Sequence, residues 1–143
     1  MHVVLEIPGK PQAKGRPRFT SLGHAYTPTK TRDAEKRIVA AWLEQYGNRQ
    51  PHEGAVALEV ITTFEPPKSW PKKKRAQALA GEVPHLVKPD IDNLIKLVKD
   101  ALNGFAYLDD SQVTRVGGSK QYGVKDSTTL LITFTPTERT THE

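Results

Sequence analysis

The chain's 143 residues include 21 Lys and Arg against 16 Asp and Glu, a net charge of +5, and only 36% are apolar. That length suits one domain with its own core, and the basic balance points to a polyanion such as nucleic acid as partner. The absence of cysteine excludes disulfides and thiolate zinc sites. No run approaches the ~18 apolar residues that a membrane helix needs, and the N-terminus lacks the pattern of a secretory signal, so no membrane partner and a cytoplasmic location are expected.

Residues 2–8 are apolar and β-branched and end at Pro8-Gly9, which predicts a strand and then a turn. Residues 9–20 form a basic arm in which Pro11 and Pro17 oppose helix. Lys10, Lys14, Arg16 and Arg18 all sit at even positions, so an extended chain would put them on one side. The functional reading is an arm laid along phosphates, with Phe19 stacking on a base or packing inward; the alternative is a solvated loop. Residues 21–28 read as loop. A helix is predicted from a cap at Thr29 or Thr31 to about Tyr46, stopped by Gly47-Asn48, with Trp42 assigned to the core. Its N-terminal half carries Lys30, Arg32, Lys36 and Arg37, which oppose the helix dipole.

Residues 55–64 are the strongest strand, with Val56, Leu58, Val60 and Phe64 on one side. A basic insert follows at 66–82. It predicts a short helix capped near Ser69, with Lys72, Lys73, Lys74 and Arg75 in the opening turn and Gly81 at the end. Those four cations either meet DNA or form a solvated charge run. Trp70 is either a stacking platform or a staple onto the core. After an extended lead-in, a helix is predicted from Ile91 to Leu102, stopped by Asn103-Gly104. Leu94, Ile95, Val98, Ala101, Leu102 and Phe105 form its apolar face, and Asp92, Lys96 and Asp100 share the other. Residues 112–124 and 128–135 read as two strands joined by a turn at Lys125-Asp126-Ser127, and the polar tail, 136–143, as frayed.

The chemistry concentrates at Asp90, Asp92, Lys96 and the pair Asp109-Asp110. Asp90 and Asp92 are two apart where extended chain becomes helix, so both carboxylates could meet one ion. Oxygen-only donors suit Mg²⁺ or Mn²⁺. A loop returning beside the helix N-terminus would bring Asp109 or Asp110 as a third ligand. Lys96, one turn beyond Asp92, would sit near the ions, where it could bind the scissile phosphate, stabilise charge in the transition state or orient a carboxylate. The bland readings stay open: an N-cap at Asp90 or Asp92, a plain turn at Asp109-Asp110, and an ordinary i,i+4 ion pair at Asp92-Lys96.

The run Asp90-x-Asp92-Asn93-Leu94-x-Lys96, then Asp100-Ala101-Leu102-Asn103-Gly104, then Leu108-Asp109-Asp110-x-Gln112-Val113, resembles the signature of the RusA-type Holliday junction resolvases. The N-terminal Lys14-Gly15-Arg16-Pro17-Arg18-Phe19, with Tyr26-Thr27-Pro28, is similar to the phage and prophage branch of that family. The resemblance implies a small single-domain α+β fold with a mixed sheet packed against helices. It implies a homodimeric, Mg²⁺-dependent endonuclease, active in DNA recombination and repair, that cuts four-way junctions by paired nicks. Carried over by position, the metal-binding and catalytic carboxylates fall on Asp90, Asp92 and Asp110 and the catalytic lysine on Lys96. Asp109, Asp100 and Asn93 take supporting roles. The basic insert departs from the family pattern, so a broader branched-DNA or flap nuclease, or a non-catalytic DNA-binding module, remains an alternative.

Overall fold

The computed structural model describes residues 1–136. Strand β1 (His2–Pro8) opens the chain, and its alternating pattern buries Val3, Leu5 and Ile7. Two short strands, β2 (Arg18–Phe19) and β3 (Ala25–Tyr26), form a small antiparallel ribbon inside what reads as arm and loop in sequence. Helix α1 (Thr29–Tyr46) follows, then β4 (Val56–Phe64), α2 (Lys72–Leu79) and α3 (Ile91–Leu102). A one-turn 3₁₀ helix at Asp110–Gln112 leads into β5 (Val113–Tyr122), and β6 (Ser127–Phe134) ends the described fold. Among the described residues no helix is long and apolar enough to cross a membrane.

The main sheet has the order β1-β6-β4-β5. The fold is α+β with a mixed sheet, because β4 pairs antiparallel with β6 and parallel with β5. The turn at Lys125-Asp126-Ser127 joins strands that do not pair with each other, since β4 lies between them. The connection crosses the end of β4, where Gly123 N–H donates to Phe64 O and Glu65 N–H donates to the Asp126 carboxylate at 2.8 Å.

Helices α1 and α3 pack on one face of the sheet, α1 against β1 and α3 against β5 and β4. Ile38 and Trp42 of α1 meet Leu97, Val98 and Leu102 of α3 over Val56, Leu58, Leu130 and Ile132. Each such side chain contributes about 1.5–3 kcal/mol by leaving water. Leu97 belongs to the buried face of α3, while Phe105, expected there, is partly exposed. Neither helix cap is where the sequence put it. Thr31 is fully buried inside α1, and its hydroxyl accepts from Gly15 N–H at 3.0 Å. Ser69 lies outside α2, whose N-cap position is Pro71.

A second, smaller core lies beneath the N-terminal end of α3. Phe64, Ala78, Leu94 and Tyr122 form it, with Ala13, Trp70 and Val83 packed against it. Trp70 is therefore a staple: its ring meets Tyr122 edge-on at 5.3 Å, and the Lys74 ammonium sits 4.0 Å above it. This core draws the arm, α2, β5 and the first turn of α3 to one place. Of the polar tail, 137–143 lies outside the described residues.

Candidate active site at the N-terminus of α3

Asp90 occupies the N-cap position of α3, yet its carboxylate makes no capping bond and is open to solvent. Asp92 follows in the first turn, also exposed, with one carboxylate oxygen accepting from Asn93 N–H at 3.0 Å. An acid in a helix's first turn is stabilised by the dipole. An exposed carboxylate at the cap position with no bond to the helix has no such structural task.

The backbone around this pair is tied down by lysines. Lys120 of β5 donates to Val87 O at 2.7 Å and to Pro89 O at 2.9 Å, pinning the lead-in directly before Asp90. Its part escapes sequence reasoning, because a lysine in an edge strand reads as solvent-facing; only the pairing of β5 brings it there. Lys14 also departs from expectation. Its N–H donates to Asn93 O at 2.9 Å, while its ammonium donates to Glu35 at 2.7 Å and lies 3.1 Å from Asp100. Burial works against that ammonium, but the bonds to Glu35 and Asp100 outweigh it and raise its pKa above the ordinary 10.5. Lys14 thus locks the arm onto α1 and α3 instead of lying free along a phosphate. Asp100 also faces Lys96 at 3.7 Å, and Lys96 remains largely exposed.

Arg16 and Arg18 are exposed. In α2, Lys72 and Lys73 are exposed, Lys74 covers Trp70, and Arg75 is half-buried with its Nε inside.

Asp109 and Asp110 lie elsewhere. The twelve residues of α3 span about 18 Å, and the loop after it stays at the C-terminal end. There Tyr107 is buried and its hydroxyl donates to Lys99 O at 2.7 Å. Burial pushes the Tyr107 phenol up, and the charges of Asp110 and Asp100 add to it. Gln112 donates to His52 O and Gly54 O in the segment just before β4. The loop therefore does not return beside Asp90, contrary to the expectation: β5 makes the return, and Asp110 precedes its far end. Asp109 is committed to the turn, accepting from Ser111 N–H at 3.0 Å while Gln112 accepts from Asp109 N–H. Those Ser111 bonds lower its pKa. Among the described residues no three His, Asp or Glu side chains gather where one ion could be held. One chain thus offers two carboxylates at one end of α3 and a third at the other.

Comparison with known proteins supplies the frame for these residues. A protein of Bacillus subtilis strain 168, bearing the name uncharacterized protein YqaN, is 36% identical over 129 residues, 87% of this chain and 90% of that protein. The family described as Endodeoxyribonuclease RusA matches residues 8–133, which include every element from β2 to β5, all of α3 and both aspartate groups. The chain belongs to the RusA family of endodeoxyribonucleases.

Proposed function

We propose that this protein resolves four-way DNA junctions by paired, symmetric phosphodiester nicks, as a homodimer that depends on Mg²⁺ or, in its place, Mn²⁺. The observation that carries this reading is the N-terminal end of α3, where two exposed carboxylates stand among the arm, α2 and Lys120. An acidic pair alone would repel DNA, and the surrounding cations offset that repulsion by drawing in phosphates. Oxygen-only donors suit a hard divalent cation, and Asp90 with Asp92 fit as part of its ligand set. Asp110 does not fit within the same chain.

A two-fold dimer meets that difficulty. β5 is an outer strand of the sheet, and α3 lies above it with Ile91 and Ile95 over Gly118. Joining two such edges antiparallel turns the second α3 end for end. The partner's Asp110 then approaches Asp90 and Asp92. A cation held there would polarise the scissile phosphate and activate a water. Lys96 presents its ammonium to a phosphate oxygen, and Asp100 steers it. Two equivalent sites related by one axis suit two equivalent strands of a junction.

The test is cleavage of a labelled synthetic four-way junction beside linear duplex and a flap, with and without Mg²⁺, for wild type and Asp110→Asn. The expected result is paired nicks in the junction alone, with metal alone and in the wild type alone. Equal cutting of flaps would keep the nuclease and remove junction selectivity. Tight binding without cutting in Mg²⁺ or Mn²⁺ would make the protein a binding module.

A further inference from the structure

We infer that the β2–β3 ribbon is a blade that stacks on exposed bases at the branch point of DNA; the inference rests on the junction reading above. Phe19 is 68% exposed, Leu22 83% and Tyr26 46%, and none of them joins either core. Three large apolar side chains on one nine-residue excursion are costly to leave in water unless a ligand covers them.

The excursion is built to hold its shape. Thr20 N–H donates to His24 O at 2.9 Å, Gly23 N–H donates to Thr20 O, and the Thr20 hydroxyl accepts from the N–H groups of Leu22 and His24. Gly23 closes the tip at φ +83°, a conformation that side chains disfavour. Two ladder pairs alone would not hold such a ribbon. Its root is fixed as well, through Gly15 N–H on the buried Thr31 hydroxyl and Lys14 N–H on Asn93 O. The second bond sets the root beside the first turn of α3, next to Asp92.

Register decides what the blade presents. Arg18 pairs with Tyr26 and Phe19 with Ala25, so the two rings project from opposite faces. An aromatic on each side suits insertion between two base pairs that a branch point has separated. Charge decides between ligands. From Arg16 to Arg32 the sequence contains Arg16, Arg18, Lys30 and Arg32 and no acid. Two copies of this ribbon would repel each other, whereas a nucleic acid supplies both the anion and the π faces. Regular duplex hides those faces, and a branch point exposes them.

The experiment uses the full chain without divalent metal, so that nothing is cut. A four-way junction carries 2-aminopurine at the nucleotide flanking the crossover, and a linear duplex carries it internally. Wild type is expected to change the fluorescence of the junction at least about twofold and leave the duplex unchanged. Phe19→Ala with Tyr26→Ala is expected to abolish that change and weaken junction binding roughly 10- to 100-fold, with duplex binding unaltered. Trp at both positions is expected to restore both signals. The blade is overturned if the double Ala variant matches wild type on the junction, if it weakens both DNAs equally, or if sedimentation shows that it has lost a dimer the wild type forms. A wild type that gives the fluorescence change yet never cuts with Mg²⁺ would end the nuclease reading and leave the blade standing.

Discussion

Lys14 belongs by sequence to a DNA-contacting arm and by structure to the protein's own ion network. Its ammonium joins Glu35 and Asp100, so neutralising it leaves two half-buried carboxylates facing each other. Lys14→Met is expected to cost about 2 kcal/mol and lower Tm by roughly 5–10 °C, whereas Arg16→Met, at an exposed position, leaves Tm nearly unchanged. Thermal melting of the two variants checks this; equal melting would return Lys14 to the set of free cations. Because the folded pKa is raised, the contribution is complete below 10.5 and fades only above it. The neighbours Asp109 and Asp110 divide in the same way. Asp109 caps a turn, and an asparagine oxygen would still accept from Ser111. Junction nicking is therefore expected to survive Asp109→Asn and to vanish in Asp110→Asn, although both substitutions remove one charge.

At the scale of elements, α2 and the lead-in to α3 have separable tasks. Reversing the exposed Lys72 and Lys73 to Glu is expected to weaken DNA binding and lower the slope of log affinity against log salt by roughly 2. An unchanged slope would remove α2 from the interface. In the lead-in, His85 is buried between Phe64 and Tyr122, with ring centroids at 4.2 and 4.9 Å. Burial, followed by the charge of Lys120, lowers its pKa below the ordinary 6.5. Its neutral form is the folded one, so its stabilisation is complete above 6.5 and is lost as pH falls through the lowered folded value. His85→Phe keeps the stack, and Tm measured from pH 7.5 to 5 is expected to fall less in that variant than in the wild type. The α-helices and the long strands are legible in the sequence because apolar period and stop signals are local. The pairing of β5 is not, since a turn after it looks the same whether the next strand lies beside it or one place further away. The ribbon at 18–26 escapes because two residues per strand show no period. The carboxylates and Lys96 are legible as residues, but their separation by the length of α3 depends on β5 running back along that helix.

At the scale of the molecule, the open edge of β5 and the divided carboxylates become one question. An exposed edge invites pairing with another strand, and β5 is an outer strand of the sheet. If the two subunits pair there, each site takes Asp90 and Asp92 from one chain and Asp110 from the other. Asp90→Asn and Asp110→Asn homodimers would then each be inactive. In a heterodimer of the two variants, both lesions fall in one site and the other site is intact. Random mixing makes about half the dimers mixed, each with one good site, so nicking is expected to recover to roughly a quarter of the wild-type rate. The products should be single nicks, because the second site in every active dimer is dead. If each chain holds its own complete site, every subunit in the mixture carries a lesion and no activity returns. Adding Val116→Lys, which places like charges across the two-fold beside Gly117, should prevent the recovery while leaving each chain folded, since Val116 is already 47% exposed. Recovery that ignores this substitution would move the seam to another face and leave the shared site intact.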